Sequence, residues 1–375
     1  MHTTDSDILN PLDLQYMKAG AAIVMEHIFA GHKMLIQVDS DCDGYTSAAA
    51  LINYFHILFP TYVYNNIYYQ LHDGKEHGID ITKIPEDVKL IIAPDSSSNE
   101  ENIHKHLYDK DIDIVILDHH NADKYSQYAC TINNQMCDYA NKSLSGVGVV
   151  YKFCQYLDSL INTSHADTIL DLVALGMIAD MVDIRDFETK RLIDKGLSNI
   201  TNPFIKSMVA KNEFSLKGKL TPVSVAFYIA PAVNAVSRVG DANDKLLLFE
   251  SMLTHKAFDI IDSTKRGCKG QKETRVEQAC RNCTNLKNQQ NRERDNELDR
   301  IDGFIKKHKL LDNKILMICL PKAERIDQNL TGLLANAIAN KYQHPTLVMN
   351  EYIENNKIIW KGSGRNCGGT EFDNF

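Results

Sequence analysis

The chain has 375 residues, too many for one average domain, so two are expected. Its 44% hydrophobic and 24% charged residues are those of a globular protein with a real core, and a net charge of −8 excludes a protein that coats polyanions by bulk charge. No run approaches the roughly 20 apolar residues that span a bilayer, the acidic start MHTTDSDILNPLDL lacks the basic-then-apolar order of a leader, and nine irregularly spaced cysteines read as free thiols in a reducing cytoplasm.

The first 120 residues alternate strands and helices. The run KMLIQV at 33–38 predicts a strand, followed by a helix over 46–58. A further apolar run, 62–69, leads into a polar loop. The runs KLIIAP (89–94) and IDIVIL (112–117) predict strands ending at Asp95 and Asp118, with a helix over 99–108 between them. Strands alternating with helices imply a parallel sheet with crossovers, and apolar runs without strict alternation imply strands covered on both faces.

From 145 to about 255 the pattern turns helical, with 167–182 apolar on most faces and therefore buried. The stretch 259–300 predicts one long exposed helix, interrupted at Gly267 and Gly270. From 265 to 309 there are 13 Lys/Arg against seven Asp/Glu, a basic run that a solvated helix face explains on composition alone. Segments 314–319, 329–341, 345–349 and 357–360 again read as α/β. The expected organisation is a first domain over 1–258, a long basic connecting helix over 259–308 and a smaller α/β domain over 309–375.

Three acidic clusters follow three predicted strands, and open parallel sheets bind ligands at the carboxyl ends of their strands. Asp39, Asp41 and Asp43, closed by Gly44, place three carboxylates on one turn, whose mutual repulsion a divalent cation relieves. An exposed acidic turn is the alternative; an EF-hand is excluded because residue 50 is Ala. Asp118-His119-His120 adds a carboxylate and two imidazoles, and a mixed Asp/His set suits two divalent ions about 3.5–4 Å apart that activate a water for in-line attack on phosphorus. Asp95 alone reads equally as a helix cap. Asp180 lies in an apolar stretch, where a carboxylate needs a partner such as a metal; Asp171 and Asp183 compete for that role. The lone CxxC, Cys280 and Cys283, lacks a second ligand pair and reads as thiols on one helix face.

The order DSDCDG, Asp95, DHH and ALGMIAD (174–180) resembles the four motifs of the DHH phosphoesterase superfamily, and within it the RecJ-like single-strand-specific 5′-to-3′ exonucleases. The resemblance extends over nearly the whole chain: LNPLDLQYM, LSGVGVVYKF (144–153), RLIDKGL (191–197), IAPAVNAVSRVGD (229–241), NRER and WKGSGRN (360–366). It implies two Mn²⁺ or Mg²⁺ ions held by Asp39, Asp41, Asp43, Asp95, His119, His120 and Asp180. Asp118, His119, His120 and Asp43 would form the catalytic set, with Asp118 orienting a histidine. It further implies that Asn234, Arg238, Ser363 and Arg365 hold substrate phosphates, and that single-stranded DNA and replication or repair proteins are the partners.

Several positions depart from the family pattern. Gln37 stands where an aromatic residue or histidine is common, Ser96 and Ser97 follow Asp95 where a glycine is usual, and Ser237 replaces a glycine. LHDGKEHGID (71–80) occupies the place of a substrate loop, with Lys75 and His77 in the roles of its usual cation. The second domain is expected to be incomplete. A bacterial cytoplasm, with a phage or mobile element as source, is the expected setting. Two other readings stay open: a DHH phosphodiesterase of short oligonucleotides or cyclic dinucleotides, and a non-catalytic DHH scaffold.

Overall fold

The computed structural model describes residues 3–74, 76–268, 270–354 and 357–367. The chain divides into two compact units, Met1–Thr284 and Asn285–Phe375.

The first unit begins with α1 (Met17–Ala30), β1 (Lys33–Val38), α2 (Cys42–Leu58), α3 (Pro60–Asn66) and β2 (Ile67–Leu71). It continues with β3 (Val88–Pro94), α4 (Glu101–Tyr108), β4 (Asp113–Asp118) and β5 (Cys130–Asn133). The five strands form one sheet in the order β2-β1-β3-β4-β5, with every neighbouring pair parallel. From β1 the chain steps outward to β2 and then returns to β3 on the other side. The crevice outside the carboxyl ends of β1 and β3 is therefore the topological switch point, where such sheets bind ligands. β3 and β4 are almost wholly buried along Leu90–Ala93 and Ile114–Leu117, as covered strands require. On one face Leu35, Ile91, Ala93, Ile114 and Ile116 pack with Ile79 and Leu107.

A helical layer follows: α5 (Gly146–Ile161), α6 (Leu170–Ala179), α7 (Phe187–Ser198), α8 (Pro203–Lys211), α9 (Glu213–Leu216), α10 (Pro222–Tyr228), α11 (Ala230–Val239) and α12 (Ala242–Met252). α6 is apolar around its circumference and packs against α2, α5 and α7, so all its residues from Leu170 to Ile178 are buried. A hairpin of β6 (Ile260–Asp262) and β7 (Lys272–Thr274) then leads into α13 (Arg275–Lys307).

The apolar run 62–69 divides between two elements: Pro60 starts a short helix, and only Ile67 onward pairs with β1. Three local expectations need correction. α2 begins at Cys42 rather than 46, because the Asp41 side chain caps it by accepting the Gly44 N–H at 3.1 Å. The stretch 259–300 is not helical throughout. Gly267 and Gly270, both at φ +80°, turn the chain into the β6–β7 hairpin. β5, only four residues long, carries no strong pattern and has no counterpart among the predicted strands.

In the second unit, β8 (Leu316–Leu320), α14 (Thr331–Tyr342) and β9 (Thr346–Glu354) form a parallel crossover, and β10 (Lys357–Arg365) adds antiparallel to β9. Ile318, Leu320, Leu334, Ile338 and Val348 pack with Ile301 and Ile305 to give this unit its own core. Part of the positive charge along the basic run is neutralised locally. Arg281 pairs with Glu273, Arg294 with Asp295 and Arg300 with Glu297, so the solvated-face reading accounts for these residues. Among the described residues no helix is long and apolar enough to cross a membrane.

Candidate metal centre

The three acidic motifs meet at the β1/β3 switch point. Asp39 follows β1, Asp95 follows β3 and Asp118 ends β4, while Asp43 lies in the first turn of α2 and Asp180 directly follows α6. Asp39, Asp43, Asp95 and Asp118 are each at most 2% exposed. Three overlapping groups bring ligand atoms within 4.8 Å of one another: Asp95, Asp118, His119 and His120; Asp43, His119 and Asp180; and Asp39, Asp41 and Asp95.

Asp43 is held by the start of α5. Its Oδ2 accepts the Gly146 N–H at 2.7 Å, and its Oδ1 accepts the Ser145 hydroxyl at 3.0 Å and the Val147 N–H at 3.3 Å. A helix N-terminus offers such unpaired N–H groups and favours negative charge. Glycine is required here: a Cβ on Gly146 would lie 2.3 Å from Asp95 Oδ1, and one on Gly176 would lie 2.5 Å from Asp43 Oδ1. Asp95 itself sits at φ +65°, in the left-handed region.

His119 stands among the carboxylates, with Nε2 3.2 Å from Asp95 Oδ1 and 3.9 Å from Asp43 Oδ2, and Nδ1 3.9 Å from Asp180 Oδ2. The 3.2 Å approach lacks hydrogen-bond geometry, since Asp95 Oδ1 has no bonded partner. Asp118 differs in its environment. Its Oδ1 accepts from His120 Nδ1 at 2.8 Å and from the His119 and His120 N–H groups, and its Oδ2 accepts the Ser98 N–H. Burial raises its pKa, but the bond from His120 and the others overcome this and hold it at about 2. The same bond, against burial, lifts His120 to about 9. The bond fixes the orientation of the His120 ring.

The remaining carboxylates are frustrated. Burial, opposed by His119 and reinforced by Asp41, raises Asp43. Burial together with Asp43, Asp41 and Asp39 pushes Asp95 well up. Burial and the charges of Asp43 and Asp41 lift Asp180 to about 7. Asp39 Oδ1 and Asp95 Oδ1 are buried and unbonded. Orphaned carboxylate oxygens beside an imidazole are the donor set of a divalent cation, whose charge removes both the repulsion and the missing partners. The residues fit such an ion.

The competing positions are satisfied elsewhere. Asp171 accepts the N–H groups of Thr201 and Asn202 at 2.7 and 2.6 Å, and exposed Asp183 is paired with Arg185. His77 Nδ1 lies 2.7 Å from Asp39 Oδ2, whereas Lys75 lies outside the described residues. Asn234 Oδ1 accepts the Cys42 N–H at 3.1 Å, next to Asp41 and Asp43. Arg238 is half-buried, makes no hydrogen bond or ion pair among the described residues, and its charge acts on the Cys42 thiol. Ser363 and Arg365 belong to the second unit. There the Ser363 hydroxyl lies 2.9 Å from Thr331 Oγ1, and a Cβ on Gly332 would come within 3.3 Å of the Arg365 guanidinium. Sequence reasoning gives no role to Ser98 or Asn133. Asn133 Nδ2 donates to Ser98 Oγ and to the His120 carbonyl, bracing the histidine pair. Nothing in the sequence marks either residue.

Residues 33–177 match the family model described as DHH family, N-terminal domain. The first unit carries a DHH-family domain. Over 370 residues, 97% of the chain, it is 36% identical to YorK, a prophage-derived protein of Bacillus subtilis (strain 168) named as a single-strand DNA-specific exonuclease. It is 24% identical over 390 residues to the single-stranded-DNA-specific exonuclease RecJ of the same organism. The chain spans 62% of the first relative's length and 44% of the second's. In fold the chain resembles exonuclease RecJ bound to manganese, with a TM-score of 0.70 at 20% identity over 91% of this chain and 81% of the other. It also resembles RecJ in complex with Mg²⁺ from Thermus thermophilus, with a TM-score of 0.61 at 18% identity over 91% and 44%.

Proposed function

We propose that this protein is a metal-dependent exonuclease that hydrolyses single-stranded DNA from its 5′ end and releases 5′-mononucleotides. The observation that carries this reading is the convergence of Asp39, Asp41, Asp43, Asp95, His119 and Asp180 at the β1/β3 crevice with two buried carboxylate oxygens left unbonded. A relative named as a single-strand DNA-specific exonuclease, matching 97% of the chain, supports the substrate class.

In this reading those six residues and His120 hold two Mn²⁺ or Mg²⁺ ions. When bound, such ions supply Lewis acidity for activating water and neutralising phosphate charge. The chain's own part is positioning. Ser145 and Gly146 lock Asp43, and Asp118 fixes the His120 ring with its proton on Nδ1. Asn234, which bonds the Cys42 N–H, and Arg238 stand beside the acidic turn, suited to gripping a backbone phosphate. Ser363 and Arg365 give the second unit the same chemistry, and His77 sits where the strand's terminal nucleotide would meet Asp39. We place the phosphoesterase chemistry in residues 1–258, in a phage- or prophage-encoded protein of a bacterial cytoplasm that works with replication and repair proteins.

The test is incubation with Mn²⁺ and end-labelled single strands of DNA and RNA, of graded length, for the wild type and for Asp43→Ala and His119→Ala. Mononucleotides released from the 5′ ends of long DNA, and lost in both variants, support the reading. Cleavage confined to dinucleotides, or binding with no metal-dependent turnover, overturns it.

A further inference from the structure

The loop that carries His77 is tied down at both ends by residues outside the metal cluster. At its start the Lys245 ammonium, from α12, donates to the carbonyls of His72, Asp73 and Gly74 at 3.3, 2.5 and 3.1 Å. Lys245 is 2% exposed and is in no ion pair among the described residues. A lysine has three N–H donors, and three consecutive carbonyls take all of them. Burying an ammonium is costly, so a cation spent wholly on backbone carbonyls marks a segment whose path is held.

At its far end, Glu100 Oε2 accepts the Ile79 N–H at 2.9 Å and the Ser97 hydroxyl at 2.7 Å. Gly78, at φ +83°, packs against this carboxylate so closely that a Cβ would lie 2.2 Å from it. In the middle, His72 Nε2 lies 3.0 Å from the Gly78 carbonyl and 3.2 Å from Gln37 Nε2, while Gln37 Oε1 accepts the Asp80 N–H. Gln37 is the residue before the first motif that departs from the family pattern, and here it staples the loop shut. His77 and Gly78 form one wall of a cavity of about 310 Å³ whose other walls include Asp95, Ser96, Asp118 and His120. The Ser96 hydroxyl there is buried and unbonded.

We propose that Lys245 is a positioning residue for the nuclease reaction: it fixes the 72–80 loop, and so holds His77 against Asp39 to receive the terminal nucleotide of the strand. This rests on the nuclease reading above. A planar guanidinium cannot reproduce one nitrogen facing three carbonyls, so arginine does not substitute.

The test combines amide deuterium exchange over 72–80 with steady-state kinetics on 5′-phosphorylated single strands in Mn²⁺. The proteins compared are the wild type, Lys245→Met, Glu100→Ala, His77→Ala and the Lys245→Met/His77→Ala double. Lys245→Met and Glu100→Ala should each speed exchange of the loop by about tenfold or more. In Lys245→Met, KM should rise about tenfold with kcat within about threefold, the signature of lost substrate positioning. The double variant should have no higher KM than His77→Ala, since the two residues then act as one unit. Unchanged loop exchange in both variants overturns the proposal, as does an additive KM in the double. A wild type without nuclease activity sinks the nuclease reading alone, because exchange still decides whether Lys245 holds the loop.

Discussion

Asp118 and His120 are bonded to each other across one turn. The fully buried Oδ1 of Asp118 lies 2.8 Å from His120 Nδ1, and the same oxygen accepts the N–H of both histidines. The carboxylate therefore sets the direction of the His120 imidazole and holds the backbone that carries both histidines. Asp118→Asn keeps the shape but supplies a weaker acceptor. It should lower Mn²⁺ affinity, read by titration calorimetry, by about 10- to 100-fold. An unchanged affinity would show that the histidines do not depend on this bond.

Gly146 is the closest approach of α5 to the site. Gly146→Ala drives a methyl group to 2.3 Å from Asp95 Oδ1 and must displace that carboxylate or the helix start. It should cost about 1–3 kcal/mol of stability, read by urea denaturation, and weaken Mn²⁺ binding at least tenfold. Gly303→Ala, on an exposed turn of α13 with nothing within 4 Å, is the control and should be neutral or slightly stabilising.

Lys152 and Glu188 form a buried pair at 3.0 Å with side-chain exposures of 0% and 1%. Glu188 also accepts from Tyr139, Asn141 and the Leu9 N–H, and Lys152 donates to the Leu9 carbonyl. The pair thereby anchors the N-terminal segment. Lys152→Met leaves a buried carboxylate without its cation and should destabilise by about 3–5 kcal/mol in chemical denaturation. Replacing both residues, Lys152→Met with Glu188→Leu, should cost less than the single change. A double variant worse than either single would contradict this.

His255 stacks on His56 with ring centroids 4.5 Å apart. Burial, with the charges of His56 and Lys256, lowers its pKa from 6.5 to about 4. The unfolded chain therefore takes up a proton that the folded chain resists. The stability this group contributes is complete above pH 6.5 and is lost as pH falls toward 4. After allowance for solvent screening the loss is about 1–2 kcal/mol. His255→Phe keeps a ring and cannot titrate, so its melting temperature should fall less steeply over that window than the wild type's. Parallel curves would assign the acid sensitivity to other groups.

The positions of the acidic motifs at strand ends were legible in the sequence, because an apolar run closed by Asp is a local signal: 33–38 before Asp39, 89–94 before Asp95 and 112–117 before Asp118. The order of motifs likewise carried the DHH resemblance. Local pattern did not carry the difference between Asp180 and its competitors. All three are carboxylates near one helix, and only packing shows Asp171 capping Thr201 and Asn202 while Asp183 faces solvent with Arg185. Strand order is equally non-local. That β1 and β3 are neighbours, and so form the crevice, depends on which side of the sheet the chain returns to, a choice made by long-range burial. The grip of Ser145 and Gly146 on Asp43, and of Lys245 on the loop before His77, join residues more than 100 positions apart. The sequence by itself determined which side chains could hold a metal; the tertiary structure decided which of them face one another, because that depends on contacts no local spacing encodes.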